Sequence, residues 1–210
     1  MSERFDAGYW EDHWVQASSR APLPAHPALA AELSTLTPGS ALDAGSGEGA
    51  EAVWLARHGW AVTAVDISAT ALARAAAAAD APGIDWVQAD LTRWEPDRHY
   101  DLVTTFYAHP TMGQEAFYHR ISRWVAPGGT LLLVGHDHHA PGHHGHGHHD
   151  VPAHPEGSVT APERIRWVLD PGEWTIRTAE VRECDAGVHG GHRMLLRDVV
   201  VRAERTASGA

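Results

Sequence analysis

A single cysteine, Cys184, rules out an internal disulfide framework and suits a reducing compartment. No apolar run approaches membrane-spanning length, and Met1-Ser2-Glu3-Arg4-Phe5-Asp6 lacks the basic and apolar regions of a signal peptide. Positive charge is scarce. The 16 basic residues face 27 acidic ones, and the formal net charge of -11 argues against a generally basic surface for nucleic acid or anionic membrane. Only a local basic patch is left open. These absences predict a soluble, cytoplasmic protein that partners neither nucleic acid nor membrane; they say nothing of its oligomeric state.

What is present suits one α/β domain: 210 residues, 43% hydrophobic and 20% charged, is enough chain to bury a core of ordinary size. Two features stand out. There are nine tryptophans, and 17 histidines of which eight fall between His136 and His149. Protonation of some of them would make the net charge of -11 an overstatement of acidity near pH 6.

Taken in order, Phe5 to Gln16 forms a short helix with Trp10 and Trp14 on one face, as either a staple to the core or an aromatic lid over a ligand. A Pro-rich connector leads to a helix from Ala28 to Leu36, ended by Pro38-Gly39. Strand and helix then alternate. Strands fall at Ala41–Ala44, Ala61–Asp66, Ile84–Gln88, Tyr100–Phe106 and Thr130–Val134. Helices fall at Ala50–His58, from the Ser68 cap to Ala79, and at Gln114–Val125. Continuous apolar strands between helices predict a doubly wound, mostly parallel sheet covered on both faces. His136 to Pro155 has no apolar periodicity and reads as an insertion or long loop. After a helix at Thr160–Leu169, Trp174–Cys184 and Arg193–Arg202 alternate as an antiparallel hairpin, with Asp185–His192 as its turn.

The chain is organised around Asp43-Ala44-Gly45-Ser46-Gly47-Glu48-Gly49-Ala50. Glycines at alternate positions let the backbone turn sharply and leave room for a ligand to touch the main chain. The helix behind them offers unpaired N–H groups and a positive dipole end. The segment also fits the dinucleotide pattern, with Ala50 in the last place, so the loop alone does not choose a nucleotide. Other residues do. Asp43 would repel a pyrophosphate but pair with a cationic ligand. Asp66 ends the next strand, where a carboxylate takes both ribose hydroxyls. Asp90 follows the third strand, placed either to accept from an adenine amino group or simply to start a turn. The closing hairpin replaces the second half of a full dehydrogenase fold.

Together these residues resemble the class I S-adenosylmethionine-dependent methyltransferases. Asp43 to Gly49 looks like the first motif, Val65-Asp66-Ile67-Ser68 the second, and Gln88-Ala89-Asp90-Leu91 the adenine-contacting segment. Tyr100 to Phe106 is similar to the fourth motif, and Trp124-Val125-Ala126-Pro127-Gly128-Gly129 to the segment before strand five. Trp10 and Trp14 add a likeness to the thiopurine and tellurite-resistance branch. The resemblance implies a Rossmann-like, seven-stranded methyltransferase fold in a single domain over 1–210. Its parts would be an N-terminal helical lid region (1–37), a cofactor-binding half (38–135), the His/Gly-rich insertion (136–157) and a C-terminal helix and hairpin (158–205). It implies that Asp43, Ala44, Gly45, Ser46, Gly47, Gly49, Asp66, Ile67, Ala89, Asp90, Leu91 and Thr105, with Trp10 and Trp14, hold S-adenosylmethionine. Asp101 is expected to support loops.

In such a sheet the ligand lies beyond the carboxyl ends of the parallel strands. That rim carries Tyr107-Ala108-His109-Pro110 after strand four and Gly135-His136-Asp137-His138-His139 after strand five. Strand six should run parallel to strand five, which brings His189 and His192 to the same rim. A small-molecule acceptor is expected. A hydroxyl or amine needs a base, for which His136, His109 and Tyr107 are the candidates, whereas a thiolate or reduced metalloid needs none. His136, His138, His139, His189 and His192 are also candidate ligands for a divalent transition metal (Zn, Ni, Cu or Co), although no spacing matches a defined motif. The alternatives are a metal-binding or metal-sensing module on a methyltransferase-like scaffold and, less favoured by Asp43 and the hairpin, a nicotinamide-dependent oxidoreductase.

Overall fold

The computed structural model describes residues 5–17, 24–81, 83–137, 161–189 and 192–207, with backbone alone for 184–189 and 192–196. Helix α1 (Ala7–Gln16) starts where the Asp6 carboxylate accepts from the Tyr9 N–H at 3.0 Å. Helix α2 (Pro27–Leu33) opens with proline at its first position, where no N–H is needed, and the His26 ring caps the Ala28 N–H at 3.1 Å. The alternation then runs β1 (Ser40–Ala44), α3 (Ala50–Arg57), β2 (Ala61–Asp66), α4 (Ala69–Ala78), β3 (Ile84–Gln88), β4 (Tyr100–Phe106), α5 (Gln114–Ser122) and β5 (Val125–His136). Helix α6 (Pro162–Val168) precedes β6 (Trp174–His189) and β7 (His192–Arg205).

The seven strands form one sheet in the order β3-β2-β1-β4-β5-β7-β6. The first five are parallel, and β7 is antiparallel to both β5 and β6. This is the doubly wound sheet with a closing hairpin expected from the sequence. Strand alternation divides the core into two layers. Leu42, Val103, Leu131, Leu133, Val199 and Val201 face Phe117, Tyr118 and Ile121 of α5. Ala41, Val62, Leu102, Leu132, Val134 and Val200 face Leu29 and Leu33 of α2 and Ala52 and Leu55 of α3. Both faces are covered, so the strands read as unbroken apolar runs.

Three boundaries differ from expectation. Residues 185–189 belong to a strand rather than to a free turn: β6 and β7 pair out to His189 and His192, with a register shift between Asp185 and Val188. A bulge absorbs the glycine there while backbone pairing continues, which needs no apolar side chain. Ala126–Gly129 lies inside β5 rather than ending a helix, because Val125 already pairs with Tyr100 before the register shifts to Leu102 with Thr130. Helix α2 stops at Leu33, where a turn from Leu36 N–H to the Leu33 carbonyl takes over.

Strand β5 lies between β4 and β7, and its Leu131, Leu132, Leu133 and Val134 are all buried. Leu132→Ala removes a fully buried side chain, and equilibrium urea unfolding should show a loss of about 2–5 kcal/mol.

Candidate functional site

The turn from β1 into α3 contains three left-handed glycines, Gly45 (φ 84), Gly47 (φ 50) and Gly49 (φ 79). The Gly45 and Ser46 N–H groups donate to the Val65 carbonyl at 2.8 and 3.0 Å, tying the turn to the end of β2. A Cβ on Gly45 would lie 2.5 Å from Ala108 Cβ, and one on Gly49 would lie 2.5 Å from the Trp86 ring. Both sites therefore exclude side chains on contact as well as on torsion.

Asp43 lies beneath this turn, buried at 1% exposure, with Oδ1 accepting from Thr104 Oγ1 at 3.2 Å. Its Oδ2 has no hydrogen-bond partner among the described residues, and neither has Ser46 Oγ. Burial, reinforced by the negative charge of Glu51, holds the Asp43 carboxyl well above the usual carboxylate range. Asp66, at the end of β2, accepts from Gly47 N–H at 2.8 Å and Ser68 N–H at 2.9 Å. Burial raises its pKa, and those two hydrogen bonds oppose the rise. An orphaned carboxylate oxygen under a glycine cradle, with a second carboxylate one strand away, suits a ligand carrying a cationic group and ribose hydroxyls.

The remaining expected cofactor residues are placed around this pair. Ala89 donates its N–H to the Asp66 carbonyl at 2.9 Å, and Ile67 accepts from Gln88 Nε2 at 3.4 Å. Asp90 Oδ1 accepts from Thr92 N–H and Oγ1 at 2.9 and 2.7 Å, so this oxygen shapes its own turn. Leu91 is buried in the core. Thr105 is fully buried and donates to the Ala44 carbonyl at 2.7 Å, so it braces the loop from behind. Asp101 binds the Ser40 N–H and hydroxyl at the far end of the sheet, in the supporting role expected.

Helix α1 lies across the turn. Trp14 would come within 3.2 Å of a Cβ on Gly47, and Trp10 Nε1 donates to the His109 carbonyl at 3.2 Å. Glu11 accepts from Ser68 Oγ at 2.7 Å, from Thr70 N–H at 3.3 Å and from Thr70 Oγ1. The Thr70 and Ser68 hydroxyl bonds depress its pKa. No residue of α1 itself is buried. Its attachment is therefore polar and aromatic, unlike a staple driven into the core.

At the rim, Tyr107 is the non-glycine residue with positive φ (54) among the described residues, and its ring stacks on His136 at 4.4 Å. His109 lies 6.0 Å from His136, ring to ring. All three base candidates thus gather at the ends of β4 and β5. Two partners escaped the sequence analysis. Asp198 of β7 lies opposite His136 in register, and His26 reaches Asp198 from the α2 cap. The overlooked signal was a lone carboxylate beside the apolar run Val199-Val200-Val201. Glu51, which accepts from His26 N–H at 3.0 Å and whose pKa burial raises, was also missed.

The metal expectation gains no support. No group of three His, Cys, Asp or Glu residues able to hold a metal exists among the described residues. His138 and His139 lie outside the described residues, as do the side chains of His189 and His192, whose backbones pair across the hairpin. No helix among the described residues is long and apolar enough to cross a membrane.

Residues 41–129 match the methyltransferase domain family. The uncharacterized methyltransferase Rv0089 of Mycobacterium tuberculosis is 42% identical over 96 residues, covering 44% of this chain and 48% of that protein. The chain thus aligns with about half the length of such curated relatives. A protein solved for the conversion of a disulfide bond into a thioacetal group during echinomycin biosynthesis superposes with a TM-score of 0.70, at 22% identity, over 97% of this chain and 94% of that one. The N-methyltransferase NodS of Bradyrhizobium japonicum, solved with S-adenosyl-L-homocysteine, gives a TM-score of 0.61 at 19% identity over 84% and 83%. The fold is the Rossmann-like methyltransferase fold.

Two measurements check the site. Folded Asp43 keeps its proton to higher pH than the unfolded chain, so its contribution is full below the ordinary value of 3.8 and is lost as pH rises through the raised one. Asp43→Asn should therefore melt above the wild type at neutral pH, with the gap closing as pH falls towards about 4. Glu11→Ala should speed hydrogen exchange throughout α1 while leaving β1, β4 and β5 protected.

Proposed function

We propose that this chain, with its methyltransferase domain over residues 41–129, is an S-adenosylmethionine-dependent methyltransferase acting on a small-molecule acceptor. The observation that carries this reading is the buried Asp43 Oδ2, without a partner among the described residues, beneath three left-handed glycines. Asp43 and the Gly45–Gly49 backbone would hold the amino acid end of the cofactor, and Asp66 the ribose. Ile67, Ala89, Asp90 and Leu91 would border the adenine. Trp10 and Trp14 would close over the ligand as α1 lies across the turn. The buried carboxylate also disfavours a nicotinamide dinucleotide, whose pyrophosphate it would repel.

Bound there, S-adenosylmethionine would supply a methyl carbon activated by its sulfonium for in-line displacement. The chain's own work is alignment and exclusion of water, which contributes several kcal/mol of barrier reduction. The acceptor would rest against Tyr107, His109 and His136, its heteroatom bonding to carbon as the carbon–sulfur bond breaks. His136 would take the proton of a hydroxyl or amine; a thiolate would bring none to remove. The net charge of -11 favours small acceptors over nucleic acid.

S-adenosyl-L-homocysteine at a hundred times its Kd should stabilise the protein by about 2.7 kcal/mol, read as a rise in Tm, and NAD should not. Asp66→Ala should abolish that rise. A shift with NAD and none with S-adenosyl-L-homocysteine overturns the proposal.

A further inference from the structure

Strand β7 ends its apolar run at Asp198, which is fully buried. A carboxylate in such a place needs donors, since unpaired burial of charge is prohibitive. Register supplies one set: His136 of β5 stands directly opposite Asp198, so both side chains project from the same face, the one Val134 and Val200 share with α2 and α3. His136 Nδ1 lies 3.9 Å from Asp198 Oδ1. The other oxygen, Oδ2, lies 3.3 Å from His26 Nε2.

The protonation of His26 follows from its surroundings. Its Nδ1 accepts the Ala28 N–H as the cap of α2, which requires a lone pair on Nδ1. The ring proton must then sit on Nε2 and point at Asp198. The His26 backbone N–H is anchored on Glu51, so the ring is held from both sides. His136 is oriented differently, by stacking on Tyr107 at 4.4 Å and an interplanar angle of 27°. Tyr107 presents that ring from a left-handed backbone (φ 54), a strained conformation for a bulky residue and one that tends to mark functional sites.

We propose that Asp198, fixed by His26, selects the Nδ1–H tautomer of His136 and so leaves the lone pair on Nε2, the nitrogen that would receive the acceptor's proton. Asp198 and His26 are then positioning residues, acting through His136. A carboxylate on one imidazole nitrogen sets which tautomer is present and makes the other nitrogen the better base. The side chain of His136 keeps 16% exposure, which leaves it open to the rim, while that of Asp198 has none. The separation of 3.9 Å is within ion-pair reach and longer than a hydrogen bond; a carboxylate at this range still favours the proton on the ring nitrogen that faces it. The inference rests on reading this rim as the acceptor site.

The test reads the tautomer directly and needs no acceptor. In the nitrogen-15-labelled full chain, the two ring nitrogens of His136 are assigned by their disappearance in His136→Gln. The wild type should show a proton on Nδ1 and a bare Nε2. In Asp198→Asn the amide NH2 can replace the oxygen facing Nδ1, and the pattern should invert to Nε2–H. A wild-type His136 resting as Nε2–H, the form favoured by free histidine, overturns the proposal even if Asp198→Asn does not fold. A folded Asp198→Asn with an unchanged Nδ1–H pattern overturns it as well. The stabilisation by S-adenosyl-L-homocysteine should persist in Asp198→Asn. Its absence from the wild type would count against the methyltransferase reading and leave the tautomer result standing.

Discussion

Ala108, Trp14 and Trp86 all approach the same turn between β1 and α3, and they can do so only because Gly45, Gly47 and Gly49 carry no side chains. Each contact belongs to a different part of the chain: the loop after β4, the N-terminal helix and strand β3. One glycine-built turn is therefore the place where the elements around the site meet. Its positive φ values point N–H groups at Val65 and hold the turn against β2. A Cβ at Gly45 would push away the Tyr107–His109 segment, and with it the rings that gather on His136.

Around this turn the protein accumulates carboxylates that are buried or, for Glu51, half-buried. Asp43 and Asp66 lie under and beside the glycines, Glu51 opens α3, and Asp198 closes the rim. Burial raises the first three from their ordinary values, Asp43 well above it. Such groups destabilise a chain near neutral pH unless something pairs with them, so their concentration at one end of the sheet is a poor design for stability alone. A role in holding polar ligands and moving protons, as proposed above, would give a physical reason for keeping them there. The opposite end of the strands, where Asp101 simply holds Ser40, shows what a structural carboxylate looks like here: exposed, hydrogen-bonded and with a lowered pKa.

The architecture was legible because its signals are local. Apolar strands of four to seven residues, Ser68 as a cap and the glycine turn each follow from the chemistry of a few neighbouring residues. Boundaries failed where backbone pairing outran side-chain pattern, as in β6 and β7 and in the Ala126–Gly129 segment of β5. The site was half legible. The glycine turn with Asp43 and Asp66 could be read as a cluster of unusual residues, and the rim followed from strand direction. Asp90 and Thr105 could be placed near the cofactor by motif, but a motif does not show that Asp90 Oδ1 turns back on Thr92 or that Thr105 braces Ala44.

The sequence by itself determined a parallel, doubly wound sheet with a nucleotide-type turn and a histidine-bearing rim, because periodicity and turn chemistry act over a few residues. Tertiary structure decided which side chains meet. Glu11 binds Ser68 and Thr70, 57 and 59 residues away. His26 reaches Asp198 across 172 residues, and Asp198 faces His136 through the register of two antiparallel strands. None of those distances has a local signature, since each depends on how helices and strands pack once the whole sheet has formed.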